Sequence, residues 1–291
     1  MWKRRMLSRR SLLVGGGAVV VVGAGGVVAE SGRVRRLLGL TPEPSHPVPG
    51  GPVGEVVSGS FRSRAMRTTT GWSIGYPYGS APSARLPVLL ELHGRGTTHR
   101  DAFDSHRLGS FLSAAVRSGV APFVVVSVDG GEHSYWHRRR SGEDPQAMIL
   151  DELLPLLADR GLPTDRFALG GWSMGGYGAL LLAERLGPSR VAAVAVDSPA
   201  IWQRWQDSAG GAFDGRADFE AHDVLASAGR LAGIPVRVSC GTSDPLIPGV
   251  RALLKAVPSA ERDLAPGVHD VAWWQHAAPA QLAFAGRHLT P

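Results

Sequence analysis

One stretch constrains this chain more than any other: residues 166–183, RFALGGWSMGGYGALLLA. An apolar run at 167–169 breaks at a glycine-dense turn, and a second apolar run at 177–183 has the length and composition of a helix. Ser173 stands at the apex of Gly171-Trp172-Ser173-Met174-Gly175. Strand, sharp turn and helix form the context in which a G-x-S-x-G pattern presents its serine as a nucleophile. The glycines have a physical role. A serine at such a bend sits in a strained backbone conformation, and side chains two places to either side would collide with the neighbouring strand and helix. The bend exposes the Ser173 hydroxyl and aims the first amides of the following helix at whatever it attacks. The alternative is a glycine-rich turn carrying an incidental serine, and the flanking strand and helix weigh against it.

The rest of the chain supplies a sheet for that turn. Residues 56–64 and 68–75 have strand character with a turn between them, which predicts an opening antiparallel hairpin. Residues 86–92 (LPVLLEL), 122–128 (PFVVVSV), 191–196 and 235–239 read as buried strands, with a short one near 261–265. Helical patterns fall at 101–118, at 145–160 before Gly161 and Pro163, and at about 275–288. Residues 201–230 lack clean periodicity and read as an insertion with a few short helices at most. Continuous apolar strands alternating with helices predict an α/β fold: a mostly parallel central sheet with helices on both faces.

Composition narrows the setting. The net charge of +6 belongs to the leader: residues 1–40 hold eight Lys/Arg and one acid, leaving 23 basic and 24 acidic residues beyond them. A near-neutral body gives no nucleic-acid footprint. Residues 1–10 are basic, residues 12–29 are uncharged, apolar and glycine-rich, and Ser8-Arg9-Arg10-Ser11-Leu12-Leu13 resembles a twin-arginine export motif. Residues 1–29 therefore read as a signal peptide, with Val27-Val28-Ala29 as small residues for cleavage, or as an uncleaved membrane anchor. Residues 30–54 read as a basic, then Pro/Gly-rich linker, and 55–291 as the folded domain. The single cysteine, Cys240, excludes an intrachain disulfide and a cysteine-based metal knuckle.

Ligands and catalytic groups of such sheets gather at the carboxyl ends of the strands. Four polar signals stand at predicted strand ends: His93-Gly94-Arg95, Ser173, Asp244 and His269. Serine, then acid, then histidine is the chain order of α/β-hydrolase triads. A serine hydroxyl needs an imidazole to take its proton, and the imidazole needs a carboxylate to fix its tautomer. His269 is assigned as base and Asp244 as orienting acid. Asp197, at the end of the preceding strand, is the rival acid, Asp270 reads as a loop or capping residue, and His276 falls in the final helix. The Met174 and Arg95 amides are the candidate oxyanion donors, and the Arg95 side chain either holds a substrate headgroup or lies in solvent. His133 and His137 could suggest a metal pair, but their loop setting reads as a wall over the site. Tyr135, Trp136, Trp273 and Trp274 are candidate cleft residues, with packing under a loop as the alternative.

The segments LELHGRG, VSVDGG, DELLP, GGWSMGGYGALLLA, CGTSDP and GVHDVAWW, spanning about residues 86–275, resemble the esterase D branch of the α/β-hydrolases, including its exported mycolyltransferase relatives. The resemblance implies the α/β-hydrolase fold, a Ser-His-Asp hydrolase or acyltransferase, no cofactor and no metal. Two features depart from the mycolyltransferase members: the acid is Asp244 where they use a more glutamate-like setting, and the 201–230 insertion has no matching pattern. The expectation is an exported serine carboxylic-ester hydrolase acting on a small-molecule or lipid ester through an acyl-enzyme. Acyl transfer to a sugar or lipid alcohol is the alternative within the class, and a non-catalytic cell-envelope binding protein is the alternative outside it.

Overall fold

The computed structural model describes residues 47–289. The expected export segment at 1–29 and most of the linker lie outside the described residues. Among those described, no helix is long and apolar enough to cross a membrane.

Eight strands form one sheet: β1 (Val56–Arg62), β2 (Thr69–Gly75), β3 (Val88–Leu92), β4 (Val124–Val128), β5 (Phe167–Trp172), β6 (Val191–Asp197), β7 (Val236–Gly241) and β8 (Glu261–Ala265). Their spatial order is β1-β2-β4-β3-β5-β6-β7-β8. β1 and β2 are antiparallel to each other, β2 is antiparallel to β4, and every later pairing is parallel. The expected hairpin and parallel core are both present.

The helices are α1 (Asp101–Asp104), α2 (Leu108–Arg117), α3 (Pro145–Met148), α4 (Leu154–Asp159), α5 (Met174–Leu186), α6 (Arg216–Ala221), α7 (Val224–Ser227), α8 (Ile247–Ala256) and α9 (Val271–Leu289). They cover both faces of the sheet. Leu89, Val125 and Ala168 pack with Phe111, Leu112, Ala278 and Leu282 of α2 and α9 on one side. Leu90, Val126 and Leu169 pack with Ile149, Leu153, Leu180 and Leu253 on the other. Neighbouring residues of one strand thus enter different layers, so the central strands are apolar throughout.

Four local departures from the sequence pattern shape the site. The helix expected at 101–118 breaks, because His106 turns inward and is buried, and Arg107 takes a left-handed conformation at φ 59°. The helix expected at 145–160 contains a π-turn at Ile149–Leu153, which ends two residues before Pro155, a residue with no amide hydrogen to donate. Its Glu152 carboxylate accepts from the Arg64 and Ala65 amides at 2.8 and 3.2 Å, tying the helix to the β1–β2 turn. The final helix starts at Val271, earlier than expected, with Asp270 accepting from the Trp273 amide at 3.1 Å as a cap. The end of the linker is held rather than free: Arg117 donates to the Pro52 and Gly50 carbonyls at 2.9 and 3.1 Å.

Candidate active site

Ser173 sits between the last residue of β5 and the first of α5, at φ 55° and ψ −118°. A non-glycine residue holds that conformation only when its surroundings over-determine it, and here two glycines do so. A Cβ at Gly171 would lie 2.5 Å from the Gly175 carbonyl carbon, and one at Gly175 would lie 1.8 Å from the Leu92 carbonyl oxygen. Close approach of β3, β5 and α5 therefore requires both glycines. The Ser173 amide donates to the Asp197 carbonyl at 2.9 Å, which ties the bend to β6.

The structure brings Ser173, His269 and Asp244 together from three separate loops. Ser173 Oγ lies 2.9 Å from His269 Nε2, and His269 Nδ1 lies 2.8 Å from Asp244 Oδ2. Asp244 is buried, and its other oxygen accepts from the Leu246 amide at 2.8 Å, so its orientation is fixed. With Nδ1–H donated to Asp244, Nε2 carries the lone pair facing the serine hydroxyl. Asp197 is turned away from this line: its carboxyl accepts from Ser239 Oγ, and burial pushes it up to about 7.

The loop after β3 faces the serine. His93 is buried and braces it, with Nδ1 against the Gly94 carbonyl at 2.8 Å and Nε2 accepting from the Gly130 amide at 3.0 Å. Arg95 follows in this loop and lines the cleft. Its side chain is not in bulk solvent: Nε donates to His133 Nδ1 at 2.9 Å, and the guanidinium also reaches the Tyr135 hydroxyl. Met174 is the first residue of α5, where an amide has no acceptor within the helix.

The cleft holds about 450 Å³ and is walled by Tyr135, Trp172, Ala200, Trp202, Ala209, Leu246 and Trp274. Arg95, Thr97 and His133 supply a polar side. Of the four aromatic residues expected there, Tyr135 and Trp274 line it and Trp136 and Trp273 do not. Tyr135 and Trp136 both adopt left-handed conformations, at φ 50° and 58°, which send the two side chains opposite ways. Trp136 is fully buried and donates to the His93 carbonyl at 3.1 Å, beneath the loop. Trp273 and Trp274 are adjacent on a helix and cannot share a face: Trp273 is buried against Gly267, while Trp274 meets the His269 ring edge-on at 5.2 Å. His106 lies under the site between Trp172 and Trp274, and burial lowers it to about 3, so it is a neutral packing ring. Sequence reasoning missed Trp172 because it belongs to the strand, and Trp202 because the insertion carries no periodic signal.

This sheet order, with its serine bend, is the architecture of the α/β-hydrolases. Residues 63–285 match the family described as "Putative esterase", and the chain belongs to that esterase family. A ferulic acid esterase structure superposes with a TM-score of 0.73 at 20% identity, covering 82% of this chain and 99% of that one. An S-formylglutathione hydrolase from Agrobacterium tumefaciens gives 0.68 at 17% identity, covering 81% and 96%. A fluorophosphonate-binding serine hydrolase of Staphylococcus aureus gives 0.66 at 17% identity, covering 81% and 99%. No curated protein sequence matches the chain.

Proposed function

We propose that this esterase cleaves carboxylic esters of small molecules through an acyl-enzyme on Ser173. The observation that carries the reading is the continuous line from Ser173 Oγ through His269 to the buried Asp244 carboxylate. Ser173 Oγ attacks the ester carbonyl and its proton passes to His269 Nε2. The oxyanion is held by the Met174 and Arg95 amides, where loss of one donor typically costs about 10²–10³ in turnover. The carbon–oxygen bond to the alcohol then breaks and the imidazolium protonates the departing oxygen. Water repeats the sequence: His269 takes its proton, the hydroxide oxygen adds to the acyl carbon, and Ser173 leaves with the proton returned.

The cleft chemistry supports a compact, apolar or aromatic acyl group against Tyr135, Trp202 and Trp274, with a polar alcohol toward Arg95, Thr97 and His133. The likeness to a ferulic acid esterase accords with an arylpropenoyl acyl group. The test is hydrolysis of p-nitrophenyl esters of rising chain length and of methyl ferulate, beside Ser173→Ala. Wild type turns over short and aromatic esters, and the variant loses about 10⁴–10⁶ in kcat. A folded wild type with no turnover and no labelling of Ser173 by a fluorophosphonate overturns the reading.

A further inference from the structure

Beside the cleft, three metal-binding side chains converge that the chemistry above does not use. His137 leaves the 132–144 loop pointing inward and is buried. Asp218 and His222 stand four residues apart, on α6 and at its C-terminal cap, and so share one face. Each of the three offers one donor atom, and the atoms lie within 4.8 Å of one another. Asp218 Oδ1 is 3.0 Å from His222 Nδ1, which also lies 2.9 Å from the Asp218 backbone carbonyl, and 3.8 Å from His137 Nδ1, so a cation takes the place of a ring proton on His222. Tetrahedral zinc, with ligand bonds of about 2.0–2.1 Å, sets its donors roughly 3.3–3.5 Å apart. The two observed separations bracket that value.

The surroundings orient these donors. Asp218 Oδ2 accepts from the Asp214 amide at 2.7 Å, which turns Oδ1 toward the imidazoles. His137 Nε2 lies 3.2 Å from the Ala212 carbonyl, and in the tautomer that donates there the lone pair is on Nδ1. That lone pair then faces two more oxygens, the Arg138 carbonyl at 3.1 Å and the Asp218 carboxylate. A neutral ring has one proton for three oxygens, and a cation on Nδ1 removes the conflict. Room for a water ligand exists as well. Both histidines line a polar cavity of about 700 Å³ shared with Glu184, whose buried Oε1 has no hydrogen-bond partner.

We propose that His137, Asp218 and His222 bind one divalent cation of the zinc class. Two imidazoles and one carboxylate suit zinc better than magnesium or calcium, which take oxygen ligands. The site is structural. It cross-links the 132–144 loop to the insertion, and its His137 ring stacks on Phe213 at 5.4 Å, which in turn contacts Tyr135 and Trp202 of the cleft wall. The sequence pair His133 and His137 is not the ligand pair, because His133 is engaged by Arg95.

Chelator-treated protein titrated with Zn²⁺ alone, followed by equilibrium dialysis with metal analysis and by thermal unfolding, tests the site. Wild type holds one zinc equivalent and gains about 5–10 °C in Tm at zinc 100-fold above Kd. H222A and D218N, each shown to be folded by circular dichroism, lose both, while H133A keeps both. Wild type that takes up no zinc at micromolar concentration overturns the proposal. Folded H222A and D218N that bind and melt as wild type does overturn it equally, by placing the ion elsewhere.

Discussion

The two sides of the cleft are built by different physics. On one side, the β5–α5 bend is held by backbone against backbone: Gly175 admits the Leu92 carbonyl, and the Ser173 amide bonds the Asp197 carbonyl. On the other, the wall at 201–231 is short helices and turns held by side chains. Arg139 alone donates to the carbonyls of His133, Gly211 and Ala212 and to the Asp214 carboxylate, the last at 2.9 Å. Backbone packing fixes an atom to within tenths of an ångström and tolerates no substitution. Side-chain staples fix a surface while leaving its identity open. Ser173 sits on the first kind of support and the apolar wall of the cleft on the second.

Their aspartates differ in the same way. Asp197, in the dry layer beneath the bend, is pushed up by burial, whereas Asp214 in the wall is held below its ordinary range chiefly by its hydrogen bond to Arg139.

The largest expected effect comes from one methyl group placed on each side. Gly175→Ala puts a Cβ 1.8 Å from the Leu92 oxygen and is expected to cost more than about 4 kcal/mol, seen as loss of the cooperative transition in urea. Gly229→Ala in the wall meets nothing within 4 Å, and is expected to leave stability unchanged or raise it by about 0.4–1 kcal/mol. Equal losses at both positions would erase the contrast. Next in size is Arg139→Ala, which removes the staple and leaves Asp214 short of its cation. It is expected to cost about 2–4 kcal/mol and to raise KM several-fold with kcat nearly held, because Ser173 is supported elsewhere. A fall in kcat with unchanged KM would show that the wall also sets the reacting geometry.

The smallest effect is in pH dependence. Asp197 has a folded-state pKa raised to about 7 from 3.8, so folding favours its protonated form. Its contribution is full below about pH 4 and is lost as pH rises toward 7. Asp197→Asn is expected to remove about 2 kcal/mol of that decline between pH 5 and 7, read from Tm against pH beside wild type. Parallel profiles for variant and wild type would show that Asp197 is ionised in the folded state.

Much of the frame was legible because each signal was local. The parallel strands read as unbroken apolar runs, since both of their faces are covered, and the glycines of 170–176 mark a bend that only small residues allow. Ser173, Asp244 and His269 stood out because polar residues at the ends of apolar strands have no packing role to explain them. The sequence left Tyr135, Trp136, Trp273 and Trp274 open between cleft and packing, because the direction of an aromatic ring depends on two left-handed residues in one case and on the starting phase of a helix in the other. The helix Ile247–Ala256 was overlooked although its signal was present: Pro248 in the first turn and apolar Ile247, Val250, Leu253 and Leu254 at helical spacing.

What the sequence determined by itself was the sheet, the serine bend and the order of the three groups beside it. These follow from periodicity, steric exclusion at glycine and strand-end polarity, all written within a few neighbouring residues. The tertiary structure alone decided that Tyr135 and Trp274 face the cleft while Trp136 and Trp273 pack beneath it, and that His137 joins Asp218 and His222 across more than eighty residues. Those pairings depend on how distant segments stack, and no short stretch of sequence carries the distance between them.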